Sequence, residues 1–182
     1  MRVKRICLIA IGIALFVGLS LCLQVPVFEN YYLCLGYAVM AVYCYCFGPL
    51  SGAAVGTLGV VLYCVVISGM RGMPGWALGN LLIGVILGMS FRAARNVSSK
   101  LVQTLIHGAS IVVATALGIL IVKSGTEHLL YAQPFLLRVG KNLSAFVADC
   151  VMLTASLPLC HALDRPAKKL FPEIHVEKKG MQ

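Results

Sequence analysis

Acidic residues are scarce. The chain holds six Asp and Glu against fifteen Lys and Arg, and charged residues of both signs make up only 12% of its 182 positions. A soluble domain carries about 25%, so this chain cannot hydrate a globular surface, and a soluble fold is excluded. Paired cysteine motifs are absent too. The eight cysteines include no Cys-x-x-Cys, Cys44-x-Cys46 has no ligands at zinc spacing, and the adjacent Cys160 and His161 diverge on a helix. A disulfide framework and a metal centre drop out, leaving the cysteines as small apolar filler. No Gly-x-Ser-x-Gly, His-Glu-x-x-His or phosphate-cradling loop occurs, since Gly140-Lys141 is followed by Asn142. The expectation is a protein that is not an enzyme and needs no cofactor. Any ATP-driven movement would require an ATPase on another chain. The net charge of +9 invites a nucleic-acid partner, but the basic residues sit at the ends of apolar runs, where they orient a membrane protein.

What remains is apolar. Hydrophobic residues reach 60% and mean hydropathy is +0.93. Apolar runs cover residues 6–23, 33–47, 52–67, 76–91, 101–122 and 142–163, which predicts an all-α, polytopic six-helix membrane bundle over residues 1–165 with a short tail at 166–182. Runs two to four fall short of the roughly 20 residues of a comfortable span, as tilted helices or helices shielded by longer neighbours would. The first run has the charged start of a signal peptide, but no small-x-small site closes it and Leu21 precedes Cys22. It reads as an uncleaved first helix. Residues 24–30 form a predicted loop with Pro26 and Glu29, followed by Tyr31 and Tyr32 as an aromatic belt. Residues 68–75 and 92–100 are further breaks, and 123–141 reads as a longer polar connection. With the N-terminus inside, eleven of the fifteen Lys and Arg fall on the cytoplasmic side, which predicts both termini in the cytoplasm of a multi-pass bacterial plasma-membrane protein.

Residues 47–88 carry glycines at helical spacing: Gly48, Gly52 and Gly56, then Gly75 and Gly79, then Gly84 and Gly88. Glycines four apart let two helix backbones approach closely in lipid. Ala10, Ala14 and Gly18 make a similar groove on the first helix. Trp76 and Asn80 share a helix face inside the glycine-rich unit; an indole stacks planar rings and a carboxamide both donates and accepts. The competing reading of Trp76 is an interfacial anchor. Asp149 is the one acid inside an apolar run, on a predicted stripe with Lys141, Asn142, Ala145 and Ser156. Buried carboxylates in membranes need a partner, which is either a ligand or a group on another helix. His107 reads as interfacial, and His128 and His161 have no ligand-spaced companions.

Taken in order, Ala10-Ile-Gly-Ile-Ala14, Phe47-Gly-Pro-Leu-Ser-Gly52, Pro74-Gly-Trp76-Ala-Leu-Gly-Asn80, Gln133-Pro134-Phe135, Lys141-Asn142-Leu-Ser-Ala-Phe-Val-Ala-Asp149 and Leu157-Pro158-Leu159 resemble the S components of energy-coupling-factor (ECF) vitamin transporters, nearest the riboflavin-type and hydroxymethylpyrimidine-related branch. The resemblance runs over residues 6–163. It implies six helices, an outward pocket, a loop after the first helix that closes over the ligand, and partners: a transmembrane coupling protein with two ATPase subunits, docked at Ala10 and Ala14. It further implies that the loaded subunit topples in the membrane to deliver its vitamin. On that footing Phe28, Glu29, Asn30 and Tyr31 of the loop would converge with Trp76, Asn80, Asn142 and Asp149 on a water-soluble vitamin such as riboflavin, a thiamine precursor or a pyridoxine-like ring. The chain departs from the related branch at Tyr63 and Cys64, where acidic residues are expected. A non-catalytic membrane scaffold and a stand-alone secondary permease are the competing readings.

Overall fold

The computed structural model describes residues 2–22, 24–28, 31–67, 69–70 and 72–171. It is helical: α1 (Arg2–Cys22), α2 (Gly36–Phe47), α3 (Pro49–Val66), α4 (Met73–Ala94), α5 (Lys100–Thr115), a π-helical segment (Ala116–Lys123), α6 (Ser124–Tyr131), α7 (Phe135–Ala155) and α8 (Leu157–Leu170). Four helical stretches are long and apolar enough to cross a bilayer, namely Val3–Cys22, Pro49–Val66, Met73–Ala94 and Lys100–Tyr131. A fifth arises if α7 and α8, bent by 45°, form one span. At 12 residues, α2 rises only about 18 Å. It survives as the central helix: ten of its residues are buried, and α1, α3, α4, α7 and α8 all pack around it. Burial on every side explains why its sequence is apolar all round.

Backbone chemistry sets the turn between α2 and α3. Gly48 ends α2 at φ 91° and donates its N–H to the Tyr43 carbonyl, and Pro49 opens α3. The glycines then set the register. A Cβ on Gly84 would lie 2.5 Å from Ala53 Cα, and one on Gly88 would lie 2.3 Å from Pro49 Cα. Helices α3 and α4 therefore touch backbone to backbone, antiparallel, as their spacing predicts. On its other side α4 meets the π-helical segment, where a Cβ on Gly79 would lie 2.6 Å from the Gly118 carbonyl oxygen. Large apolar side chains such as Ile11, Leu101, Leu129 and Leu136 stay exposed around the bundle, as a lipid-facing surface requires.

Two sequence-based expectations need correction. The predicted loop at 24–30 opens an antiparallel hairpin in the otherwise helical fold: β1 (Gln24–Phe28) pairs with β2 (Tyr31–Cys34), which reaches into the predicted second apolar run. Its Val and Tyr content suits a strand, and β2 packs against α7. The polar connection at 123–141 is no loop either. The chain stays helical through Tyr131, turns at residues 132–134 with Ala132 at φ 51°, and starts α7 at Phe135. Ser124 and Glu127 are buried there, and Asn142 and Arg138 bond to them, so part of that polarity marks an inward face. Helix α8 runs on to Leu170 with Pro166 inside it; residues 172–182 lie outside the described residues.

Candidate functional site

The first turn of α2 points Tyr37 at α4, where it becomes the hub of a buried polar cluster. Tyr37 and Asn80 are both 0% exposed. The Trp76 indole N–H donates to the Tyr37 hydroxyl oxygen at 2.9 Å, and that hydroxyl donates to Asn80 Oδ1 at 2.9 Å. Asn80 Nδ2 completes the chain by donating to the Gly56 carbonyl at 3.3 Å, which faces it across the α3–α4 seam. Trp76 is partly buried, and Tyr63 meets its ring edge-on with centroids 5.8 Å apart. Asp149 of α7 is also buried and lies near the same Tyr37 hydroxyl, whose one proton goes to Asn80.

The second wall comes from the long helix. Its inward positions run His107, Ile111, Ala114 and Thr115, Gly118 and Ile119, which is α-helical spacing, and then jump five residues to Ser124 and on to Glu127. The π-helical turns produce that jump, because their hydrogen bonds span five residues rather than four. An unbroken α-helix would have turned Val122 and Thr126 inward instead. The shift brings the Lys123 ammonium to 5.9 Å from the Trp76 ring centroid and within the electrostatic reach of Glu127 and Asp149. Glu127, 6% exposed, pairs with Arg138 at 3.6 Å. Asn142 Nδ2 donates to Ser124 Oγ at 3.0 Å and to Glu127 Oε2 at 3.3 Å. Arg138 Nε is buried with no hydrogen-bond partner.

Of the residues expected from sequence, Trp76, Asn80 and Asp149 meet around Tyr37, and Asn142 joins them through Glu127 and Lys123. Phe28 and Tyr31 are paired across the hairpin, whose second strand lies on α7; Glu29 and Asn30 fall outside the described residues. Ala10 and Ala14 sit on the exposed side of α1, while Gly12 faces inward against Tyr43 and Val55. One expectation fails: Lys141 is exposed and off the polar stripe of α7. Asp149 is joined by a second buried acid, Glu127, from the predicted polar connection. Sequence reading missed Tyr37, Lys123, Glu127 and Arg138. Only the excess of polar residues at 123–142 could have flagged the last three.

A second polar cluster occupies the other end of α4, about 28 Å from Trp76 at 1.5 Å per residue. Arg95 bonds Asp164 at 2.9 Å and lies 4.8 Å from the Tyr45 ring centre. The Tyr45 hydroxyl and His161 Nδ1 are 3.1 Å apart. His107 is not interfacial: it is 1% exposed and packs edge-on against Tyr45 and Phe91. These contacts tie α2, α4, α5 and α8 together.

Residues 1–165 match the family model described as the S component of the ECF-type riboflavin transporter. The chain belongs to that family. This S component is also 25% identical over 161 residues to UPF0397 protein str0306 of Streptococcus thermophilus (strain CNRZ 1066), covering 83% of the chain and 88% of the relative. A UPF0397 protein of Streptococcus thermophilus (strain ATCC BAA-491 / LMD-9) matches to the same extent. No solved structure matches. Family and apolar helices together make the chain a multi-pass membrane protein and a component of a transporter.

Proposed function

We propose that this S component captures a water-soluble vitamin with a flat heteroaromatic ring, riboflavin first among them, from outside a bacterial cell membrane. In this reading six helical passes, with α2 counted as one, leave both termini cytoplasmic, and the Trp76 end of α4 faces outward. The ring stacks on Trp76, while Asn80, Asn142 and Asp149 bond its heteroatoms. Phe28, Glu29, Asn30 and Tyr31 of the hairpin close over it. Ala10 and Ala14 form the docking face for a transmembrane coupling protein with two ATPases.

One observation carries the reading: at the Trp76 end of the bundle, α2, α4, the long helix and α7 all turn polar side chains to a common point. Burying that many polar groups in a membrane is costly unless they serve one another or a ligand. Asn80 has both its carboxamide oxygen and its nitrogen bonded within the chain, which favours the scaffold reading, with these residues as helix glue. Equilibrium binding to purified protein separates the two. Saturable uptake of riboflavin, hydroxymethylpyrimidine, thiamine or pyridoxine supports the S-component reading, and a protein that binds none of them is a scaffold. Uptake by cells lacking any ECF ATPase would favour a secondary permease.

A further inference from the structure

Among the described residues, Lys123 lies within electrostatic reach of three other ionisable side chains, Glu127, Arg138 and Asp149. Glu127 has its own cation in Arg138 and a further donor in Asn142. Asp149 has a neutral neighbour in Tyr37, and Lys123 supplies the nearby positive charge. Removing Lys123 would leave two acids against one base. The same ammonium stands over the Trp76 ring, at 5.9 Å. Tyr63 already meets that ring edge-on, and the indole N–H is engaged by Tyr37. A planar ligand stacked on Trp76 would therefore come into the neighbourhood of the Lys123 ammonium. The π-helical segment is what delivers the lysine there, and such segments gather at functional sites.

We propose that Lys123 is a specificity-determining residue of the site: its ammonium, over the Trp76 ring, admits uncharged aromatic rings with carbonyl acceptors and rejects cationic ones. This rests on the vitamin-pocket reading above. An ammonium offers three donors and no acceptor, so it complements a carbonyl edge. Toward a cationic ring it acts as a like charge, which is how sites exclude near-relatives of their ligand. Riboflavin and thiamine make the contrast, the first with an uncharged carbonyl-bearing ring system, the second with a permanently cationic thiazolium.

The test is the ratio of thiamine to riboflavin dissociation constants for the full chain in lipid nanodiscs, followed by Trp76 fluorescence and equilibrium dialysis. The wild type should prefer riboflavin. Lys123→Met should lower the ratio by about tenfold or more, and Lys123→Arg, which keeps the charge, should hold it within about threefold. If Lys123→Met does not give a monodisperse, cooperatively melting protein, Lys123→Gln takes its place with the same expected loss. A ratio unchanged on loss of the charge, or a wild type that prefers thiamine, overturns the charge-selection role and leaves the pocket standing. A wild type that binds neither ring in either assay overturns this inference, and the vitamin reading falls with it only if hydroxymethylpyrimidine and pyridoxine also fail to bind.

Discussion

At the residue scale the site turns on Tyr37, whose hydroxyl accepts from Trp76 and donates to Asn80. Tyr37→Phe strips the indole N–H of its acceptor and Asn80 Oδ1 of its donor. Leaving a buried polar group unsatisfied costs about 1–3 kcal/mol, so the variant should melt at lower temperature in detergent than the wild type. Because Trp76 is the sole tryptophan, its emission should shift in the same variant; an unchanged spectrum would mean that the bond does not form in solution. Asn80→Ala and Asp149→Asn should each weaken vitamin binding. A hydrogen bond to a charged group is worth about 1.5–3 kcal/mol, or roughly ten- to hundredfold in dissociation constant. Calorimetric titration that finds wild-type affinity in both removes these two residues from the pocket. Trp76, Asn80, Asn142 and Asp149 were legible in the sequence because each is a polar or aromatic exception within an apolar run. Tyr37 was not, because one tyrosine among several in a run of mixed aromatic and apolar residues carries no such contrast.

At the element scale the glycine spacing of α3 and α4 was read correctly as backbone contact, since four-residue periodicity maps directly onto one helix face. Gly88→Ala should drive its methyl into Pro49 Cα, which would be 2.3 Å away, and backbone cannot swing aside as a side chain can. Overpacking of this kind costs about 1–3 kcal/mol, to be read as a lowered melting temperature. Gly18→Ala is the control: its Cβ would meet nothing within 4 Å, and the variant should melt with the wild type. Equal losses in the two variants would mean that the contact with Pro49 is not what is being measured, since helix propensity favours alanine over glycine. The long helix shows where periodicity fails. From His107 to Ile119 the buried positions keep α-helical spacing, and the π-helical turns then break it. With Ser124 and Glu127 moved off the face that an unbroken α-helix would present, residues 123–141 read as a polar connection. The hairpin was hidden for another reason: nine strand residues beside a proline look like a loop until β2 finds α7 to pack on.

At the scale of the whole molecule the membrane class was plain from composition alone, because no soluble surface can be built from so few charges. The number of passes was less plain, since α2 is short and α7 bends into α8. Helix α1 borders the bundle with Ala10 and Ala14 exposed and its opposite side packed on α2 and α3. Ala10→Trp and Ala14→Trp should therefore abolish ATP-dependent uptake in cells while leaving the binding constant of the purified protein within about twofold. Equal loss of uptake and binding would make that face part of the internal packing.

The central claim is that the buried polar cluster around Tyr37 and Trp76 binds a vitamin. Its most direct test is a titration of the purified, lipid-reconstituted protein with riboflavin, hydroxymethylpyrimidine, thiamine and pyridoxine. The account predicts saturable binding of at least one of them at one molecule per chain, with a matching change in Trp76 emission and a weaker constant in Asn80→Ala. No saturable binding across the four, in a protein shown to be folded by its cooperative melt, would contradict it.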